Sequence, residues 1–240
     1  MLFNTTDLGK REKNQDASSA FSVEYEGNAM HVAIAADGVG SFRDSEIASG
    51  FAVKFFERFF EEKKSVLFSL GFDDLELELF SKANELHERL KYIAETKGYE
   101  YGTTLTLALT IENSYIVIQV GDSRCYLYQN SYLKKITKDQ NVKMLKEEGR
   151  MEDSNAKDNA LLQCLGRGEM VPKLYDGILE DKFTLLVCTD GLTSLLSFDE
   201  ITKTLSSNQS LEGKIKSLIE RSRRKGEEDN ISACVISKEG

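Results

Sequence analysis

A chain of 240 residues with 40% apolar content is long enough for one substantial hydrophobic core. A single proline and no Pro-, Gly- or Ser-rich linker point to one domain over 1–240, and a formal net charge of -9 counts against nucleic acid as a partner, because affinity for a phosphate backbone needs a basic surface. No run approaches the length of a membrane span and residues 1–11 lack the apolar stretch of a secretory signal, so a cytoplasmic protein with no membrane partner is expected.

Residues 8–16, L-G-K-R-E-K-N-Q-D, are polar and follow no regular period; a strand is expected near 17–26. A turn at Gly27 and Asn28 leads into H-V-A-I-A-A-D-G-V-G-S at 31–41, which makes the first two strands a hairpin. From 44 to 63 the period becomes helical, with Ile47, Ala48, Phe51, Ala52, Phe55, Phe56, Phe59 and Phe60 in an apolar stripe at spacings of three and four. A second helix, 73–96, carries Leu79, Ala83, Leu86, Leu90 and Ile93 and stops before Gly98. Strands at 103–111, 115–120, 124–129 and 132–136 follow in quick succession and read as a meander. Residues 138–148 form a short charged helix, and 149–159 are polar enough for a mobile flap. Strands at 173–179 and 183–188, helices at 198–205 and 211–224 and a last strand at 231–237 complete the order. Strands and helices segregate, which predicts an α+β fold: two packed antiparallel β-sheets, a β-sandwich, flanked by helices. Cys125, Cys164, Cys188 and Cys234 lie far apart, all but Cys164 inside apolar runs, and read as buried reduced thiols.

Three apolar runs close on an aspartate: Asp37 after V-A-I-A-A, Asp122 after V-I-Q-V-G, and Asp190 after F-T-L-L-V-C-T. A fourth, Asp229, precedes Asn230 and the final run I-S-A-C-V-I. An aspartate at the end of a hydrophobic strand is costly unless a cation or a hydrogen bond receives it, and Gly38 lets the backbone come close to such a partner. If these runs are strands of one core, the carboxylates gather at one rim, where like charges need cations between them. Oxygen-only donors select magnesium or manganese over zinc or copper. Neither histidine suits a base or ligand there: His87 falls in the second helix, and His31 is ~20 Å from Asp37 at strand rise. There is no G-x-S-x-G elbow, P-loop or G-x-G-x-x-G after a strand. What is left is hydrolysis by water held between two metal ions, with Arg11 offering a planar fork for phosphate oxygens. Taken singly, a strand-end aspartate is more often a turn former or cap and Arg11 a solvated charge. The joint occurrence carries the argument.

The order of the motifs adds to it. Arg11, Asn14, Gln15 and Asp16 fit an opening R-x-x-N-(E/Q)-D, and Asp37 begins D-G-V-G-S, close to D-G-M-G-G. Gly102, Thr103 and Thr104 fit G-(S/T)-T, Gly121 to Arg124 is G-D-S-R, and residues 161–166 are close to L-x-x-x-L-G. C-T-D-G-L at Asp190 is close to S-D-G-L, and Asp229 with Asn230 makes the closing D-N. Over essentially the whole chain this resembles the metal-dependent protein phosphatases, the type 2C serine/threonine phosphatases, in their bacterial form.

The resemblance implies a β-sandwich flanked by helices with two metal ions, Mn2+ or Mg2+, at one end. The Asp37 counterpart bridges both ions, the Gly38 counterpart lends its carbonyl, and counterparts of Asp190 and Asp229 complete one ion. A bridging hydroxide attacks phosphorus while the Arg11 counterpart holds the phosphate, and Asp16 orients water on the ions. Asp122 resembles a position that helps hold a third, weaker ion in bacterial members. The implied substrates are phosphoserine and phosphothreonine proteins, set against an opposing serine/threonine kinase in signalling. Three departures stand out. Ser194 occupies a position where the family often has an aspartate ligand of the third ion, Gln140 replaces the histidine of a common D-H-S, and no histidine follows Asp37 and Gly38. Two other readings are a noncatalytic relative that binds phosphorylated or regulatory partners, and a hydrolase of small phosphoesters that shares the ligands but not the motif order.

Overall fold

The structure is a computed structural model, and it describes residues 1–40, 42–151 and 155–238. In chain order the elements are β1 (Leu2–Asp7), β2 (Asp16–Tyr25), β3 (Asn28–Asp37), α1 (Ser45–Leu67), α2 (Phe72–Lys97), β4 (Leu105–Ile111), β5 (Ser114–Val120), β6 (Arg124–Gln129) and β7 (Tyr132–Lys135). Then come α3 (Val142–Glu147), β8 (Lys173–Ile178), β9 (Phe183–Cys188), α4 (Asp190–Thr193), α5 (Phe198–Leu205), α6 (Leu211–Arg224) and β10 (Ile231–Lys238). They form two five-stranded antiparallel sheets, ordered β2-β3-β4-β5-β8 and β1-β10-β9-β6-β7.

The near-continuous apolar run of β3 is explained by its position. Val32 through Ala36 are all fully buried. The strand is paired on both edges, by β2 and β4, and covered on both faces. The period of two splits its side chains between layers. Val32, Ile34 and Ala36 join the Phe56, Phe60, Leu79 and Leu86 side chains of α1 and α2, while Ala33 and Ala35 meet Val117, Leu185, Val187 and Ile236 between the sheets. A third apolar layer lies outside the other sheet, where Leu186, Ala233 and Val235 pack on Ile201, Ile215 and Leu218 of α5 and α6. Helix, sheet, sheet, helix is the predicted α+β sandwich.

Phe56 shows how much the outer layer contributes. Its ring is fully buried and stands edge-on to Phe55 and Phe59, with centroids 5.5 and 6.3 Å away. Phe56→Ala is expected to cost about 3–5 kcal/mol, read from the shift of a urea unfolding curve. A loss under about 1 kcal/mol would mean that α1 can close over the gap.

Three features of the sequence reading need correction. The run read as a meander is divided between the sheets: β4 and β5 pair with each other, the chain crosses at residues 121–123, and β6 pairs with β7 and β9. An alternating apolar run looks the same whichever neighbour it finds. The edge strand β1, paired with β10, went unseen because L-F-N-T-T-D has too few apolar residues to show a period. Ile47 is 51% exposed and lies off the packed stripe of α1. Of the expected flap, residues 152–154 lie outside the described residues, and its described remainder holds no helix or strand. The four cysteines are free and buried, as expected, and burial pushes the Cys188 and Cys234 thiols up to about 12.

Candidate metal centre and active site

One end of the sandwich collects the acidic side chains. Asp37 closes β3 and stands directly opposite Asp16, which opens β2. Asp122 sits where the chain crosses between sheets, Asp190 opens α4 just past β9, and Asp229 precedes β10. Asp122 is 5% exposed and the other four are half-buried.

Their proximity shows in their electrostatics. Asp37 titrates well above the carboxylate range, first because it has lost water and then because Asp16, Asp190, Asp122 and Asp229 all bear on it. Asp190 is pushed up to about 7 by burial and the charge of Asp122, against the pull of Arg124. Burial raises Asp16 to about 6, although hydrogen bonds from Thr189 and Ser232 oppose the rise. Asp122 is raised by burial and eased by a hydrogen bond from Asn141. Asp16, Asp190, Asp122 and Asp229 all lie close enough to Asp37 to act on its charge.

The backbone beneath them is held firmly. The Asp37 amide donates to Thr104 Oγ1 at 2.9 Å, and its carbonyl accepts from Thr103 Oγ1 at 2.9 Å and the Thr104 amide at 2.8 Å. Gly38 packs so closely that a Cβ would run into the carbonyls of Ser45 and Gln15. Arg11 donates through Nη2 to Asp229 Oδ2 at 2.8 Å, and this bond holds its guanidinium above its ordinary pKa. Arg124 forks onto Asp139, Nη2 to Oδ2 at 2.9 Å, and reaches Thr193 Oγ1 at 2.8 Å, so it braces the rim from behind.

Several supporting groups escaped the sequence reading. Thr189 Oγ1 donates to Asp16 Oδ2 at 2.8 Å and accepts from the Ser232 amide at 2.9 Å. Asn141 donates to Asp122 Oδ2 at 3.0 Å while its own oxygen caps α3. Asn230 accepts from the Gln15 amide and donates to the carbonyls of Leu8 and Lys13, shaping the loop that carries Arg11. Position alone hinted at Thr189, which adjoins Asp190, whereas Asn230 stood in the closing D-N without a stated role. Gln140, where a histidine was expected, is turned inward: its Oε1 accepts from the Gly121 amide at 2.7 Å and from Gln163 Nε2 at 2.7 Å.

The donors suit a hard divalent ion. They are oxygens, they carry more negative charge than Arg11 and Arg124 offset, and such an ion retains several waters and needs only one or two carboxylates. Among the described residues no three His, Cys, Asp or Glu side chains stand ready to hold one ion together. The acids therefore act on Asp37 through their charge without closing into a three-carboxylate cage.

A family model for protein phosphatase 2C matches residues 5–234. The chain belongs to the protein phosphatase 2C family. It is 30% identical to the serine/threonine phosphatase stp of Listeria welshimeri over 97% of this chain and 94% of that one. It is 28% identical to the protein phosphatase PhpP of Streptococcus pneumoniae, over 97% and 95%. Among solved structures, the serine/threonine phosphatase Stp1 of Staphylococcus aureus superposes with a TM-score of 0.86 at 25% identity, covering 100% of this chain and 95% of that one. The catalytic domain of the serine threonine protein phosphatase PstP, in complex with two manganese ions, gives 0.77 at 26% identity over 98% and 96%. In this protein phosphatase 2C chain, Ser194 at the end of α4 donates its amide to the Asp190 carbonyl at 2.8 Å and has only a hydroxyl to offer an ion.

Proposed function

We propose that this chain is a metal-dependent phosphatase that hydrolyses phosphoserine and phosphothreonine on proteins. The observation that carries the reading is the concentration of five carboxylates, with Arg11 among them, at one end of the sandwich. Asp37, the Gly38 carbonyl, Asp190 and Asp229 would hold two ions, Mn2+ or Mg2+, and Asp122 a weaker third. When bound, such ions lower the pKa of water and offset charge on phosphoryl oxygens. The residues of the chain do the rest. Thr103 and Thr104 fix the Asp37 backbone, Thr189 fixes the Asp16 carboxylate, and Asp16 orients water. Arg11 carries five donors, of which Nη2 is engaged among the described residues, so its fork can take phosphate oxygens.

Neither histidine reaches this rim. His31 bonds to Ser22 Oγ at 2.8 Å, and His87 is clamped between the Gly166 amide and the Gly168 carbonyl. With Gln140 also turned inward, the departing serine or threonine oxygen takes its proton from solvent. We expect rates to fall more steeply with leaving-group pKa than in a histidine-bearing relative, measured on a series of aryl phosphates and a phosphothreonine peptide. Equal slopes in the two proteins would refute this.

Residues 1–240 acting as one domain are supported by the three continuous apolar layers. A cytoplasmic location is supported by four buried free thiols and by the absence, among the described residues, of a helix long and apolar enough to cross a membrane. An opposing serine/threonine kinase follows from the proposed substrate class. The test is turnover of a phosphothreonine peptide with Mn2+ and with chelator. Mn2+-dependent turnover supports the reading, peptide binding without turnover would show a noncatalytic relative, and preference for nucleotides would show a small-phosphoester hydrolase.

A further inference from the structure

Arg223, in the last turn of α6, ties that helix to two further segments, the end of β1 and the loop at 227–229. Its Nε donates to Asp7 Oδ1 at 3.0 Å, at the end of β1, and Nη2 reaches the same oxygen. Its Nη1 donates to the carbonyls of Glu227 at 3.0 Å and Asp229 at 2.7 Å. Gly9, with φ +64°, lies flat on the guanidinium, where a Cβ would collide with both Nη atoms and the Asp229 carbonyl. The Asp7 carboxylate also accepts from the Gly9 amide at 2.9 Å, and the Lys10 amide donates to the Glu228 carbonyl at 3.0 Å. Residues 227–229 precede β10 and carry no ladder of their own. The far side of this clasp carries the chemistry, since Asp229 Oδ2 accepts from Arg11.

We propose that Arg223 is a positioning residue for the reaction: by gripping the Asp229 main chain and the Asp7 end of the loop that bears Arg11, it sets metal affinity and phosphate binding while touching neither ion nor substrate. This rests on the reading of Asp229 as an ion ligand and Arg11 as the phosphate holder. A planar guanidinium spans the carboxylate on one edge and two carbonyls on the other, whereas the ammonium of a lysine is a single point that cannot face both. Losing one side frees the 227–229 segment to drift, and groups behind a metal ligand typically govern affinity by 10- to 100-fold.

The experiment compares the full chain with Arg223→Lys, Asp7→Asn and Asp229→Asn, using calorimetric titration with Mn2+, KM and kcat on a phosphothreonine peptide, and circular dichroism for folding. Arg223→Lys is expected to keep the native spectrum, bind Mn2+ about 10-fold more weakly or worse, and raise KM. Asp7→Asn, at a strand end with its side chain 42% exposed, should stay folded and shift both in the same direction by less. Folded Arg223→Lys with Mn2+ affinity and KM within about twofold of the parent overturns the proposal. If Arg223→Lys does not fold, unchanged Mn2+ affinity and KM in Asp7→Asn overturn it instead. If Asp229→Asn also binds Mn2+ like the parent, the ligand reading has failed and the clasp falls with it; weakened binding there alone leaves the ligand reading standing and removes only the clasp.

Discussion

Asp37→Asn is expected to lower turnover of a phosphothreonine peptide by roughly 10³-fold while raising the melting temperature of the metal-free protein. The two effects share a cause. Asp37 is the residue on which the other four acids converge, and its charge is opposed by burial as well as by each of them. An amide of the same shape removes that repulsion, so the empty fold gains. On the function proposed above it also removes an ion ligand, and loss of one charge-stabilising group in an active site costs on the order of 10²–10³ in rate. Activity within about tenfold of the parent would place the chemistry elsewhere. A lower melting temperature would mean that the charge on Asp37 is already compensated by the protein.

Metal-free protein is expected to lose stability as pH rises from about 4 to about 7. Asp16 and Asp190 ordinarily titrate near 3.8 but lie at about 6 and about 7 in the fold. Below 3.8 both are protonated whether the chain is folded or not, and neither works against the fold. Between the ordinary and the raised values the folded chain binds more protons than the unfolded one, so each step up in pH works against it. Above about 7 the effect of these two is complete. At about 1.4 kcal/mol per unit, Asp190 alone accounts for on the order of 4 kcal/mol. With saturating Mn2+ the slope should reverse, because ions take the ionised carboxylates. Melting curves in chelator and in Mn2+ at pH 5 and pH 7.5 test both signs. A chelated protein whose melting temperature is flat or climbs over that interval would refute the picture of crowded, desolvated acids.

The sequence displayed this site more clearly than it displayed the topology, for a physical reason. An aspartate closing a buried, mostly apolar run is a local anomaly, visible one run at a time, and Asp37, Asp122 and Asp190 each announce it. The helices and the central strand were equally open to view because burial imposes a period on α1 and α2 and an unbroken apolar run on β3. Sheet membership was hidden: β5 and β6 are apolar strands joined by a short turn, and nothing in V-G-D-S-R says that the chain changes layers there. The supports were hidden for another reason. Thr189 serves Asp16 across 173 positions and Arg223 serves Asp7 across 216, so their meaning exists only once the chain is folded.

The layer between the sheets has a bearing on all of this. Asp16 and Asp37 sit at strand ends of one sheet, Asp190 and Asp229 just beyond strands β9 and β10 of the other, and the surfaces that face each other between the sheets include Ala33, Ala35 and Ala108, all without solvent exposure. Methyl-sized residues there act as spacers that fix how far apart the two halves of the reaction chamber stand. A leucine at Ala35 would act as a wedge, at about 1–3 kcal/mol of strain, and the width of the gap, and with it dephosphorylation, would change well before the protein came apart.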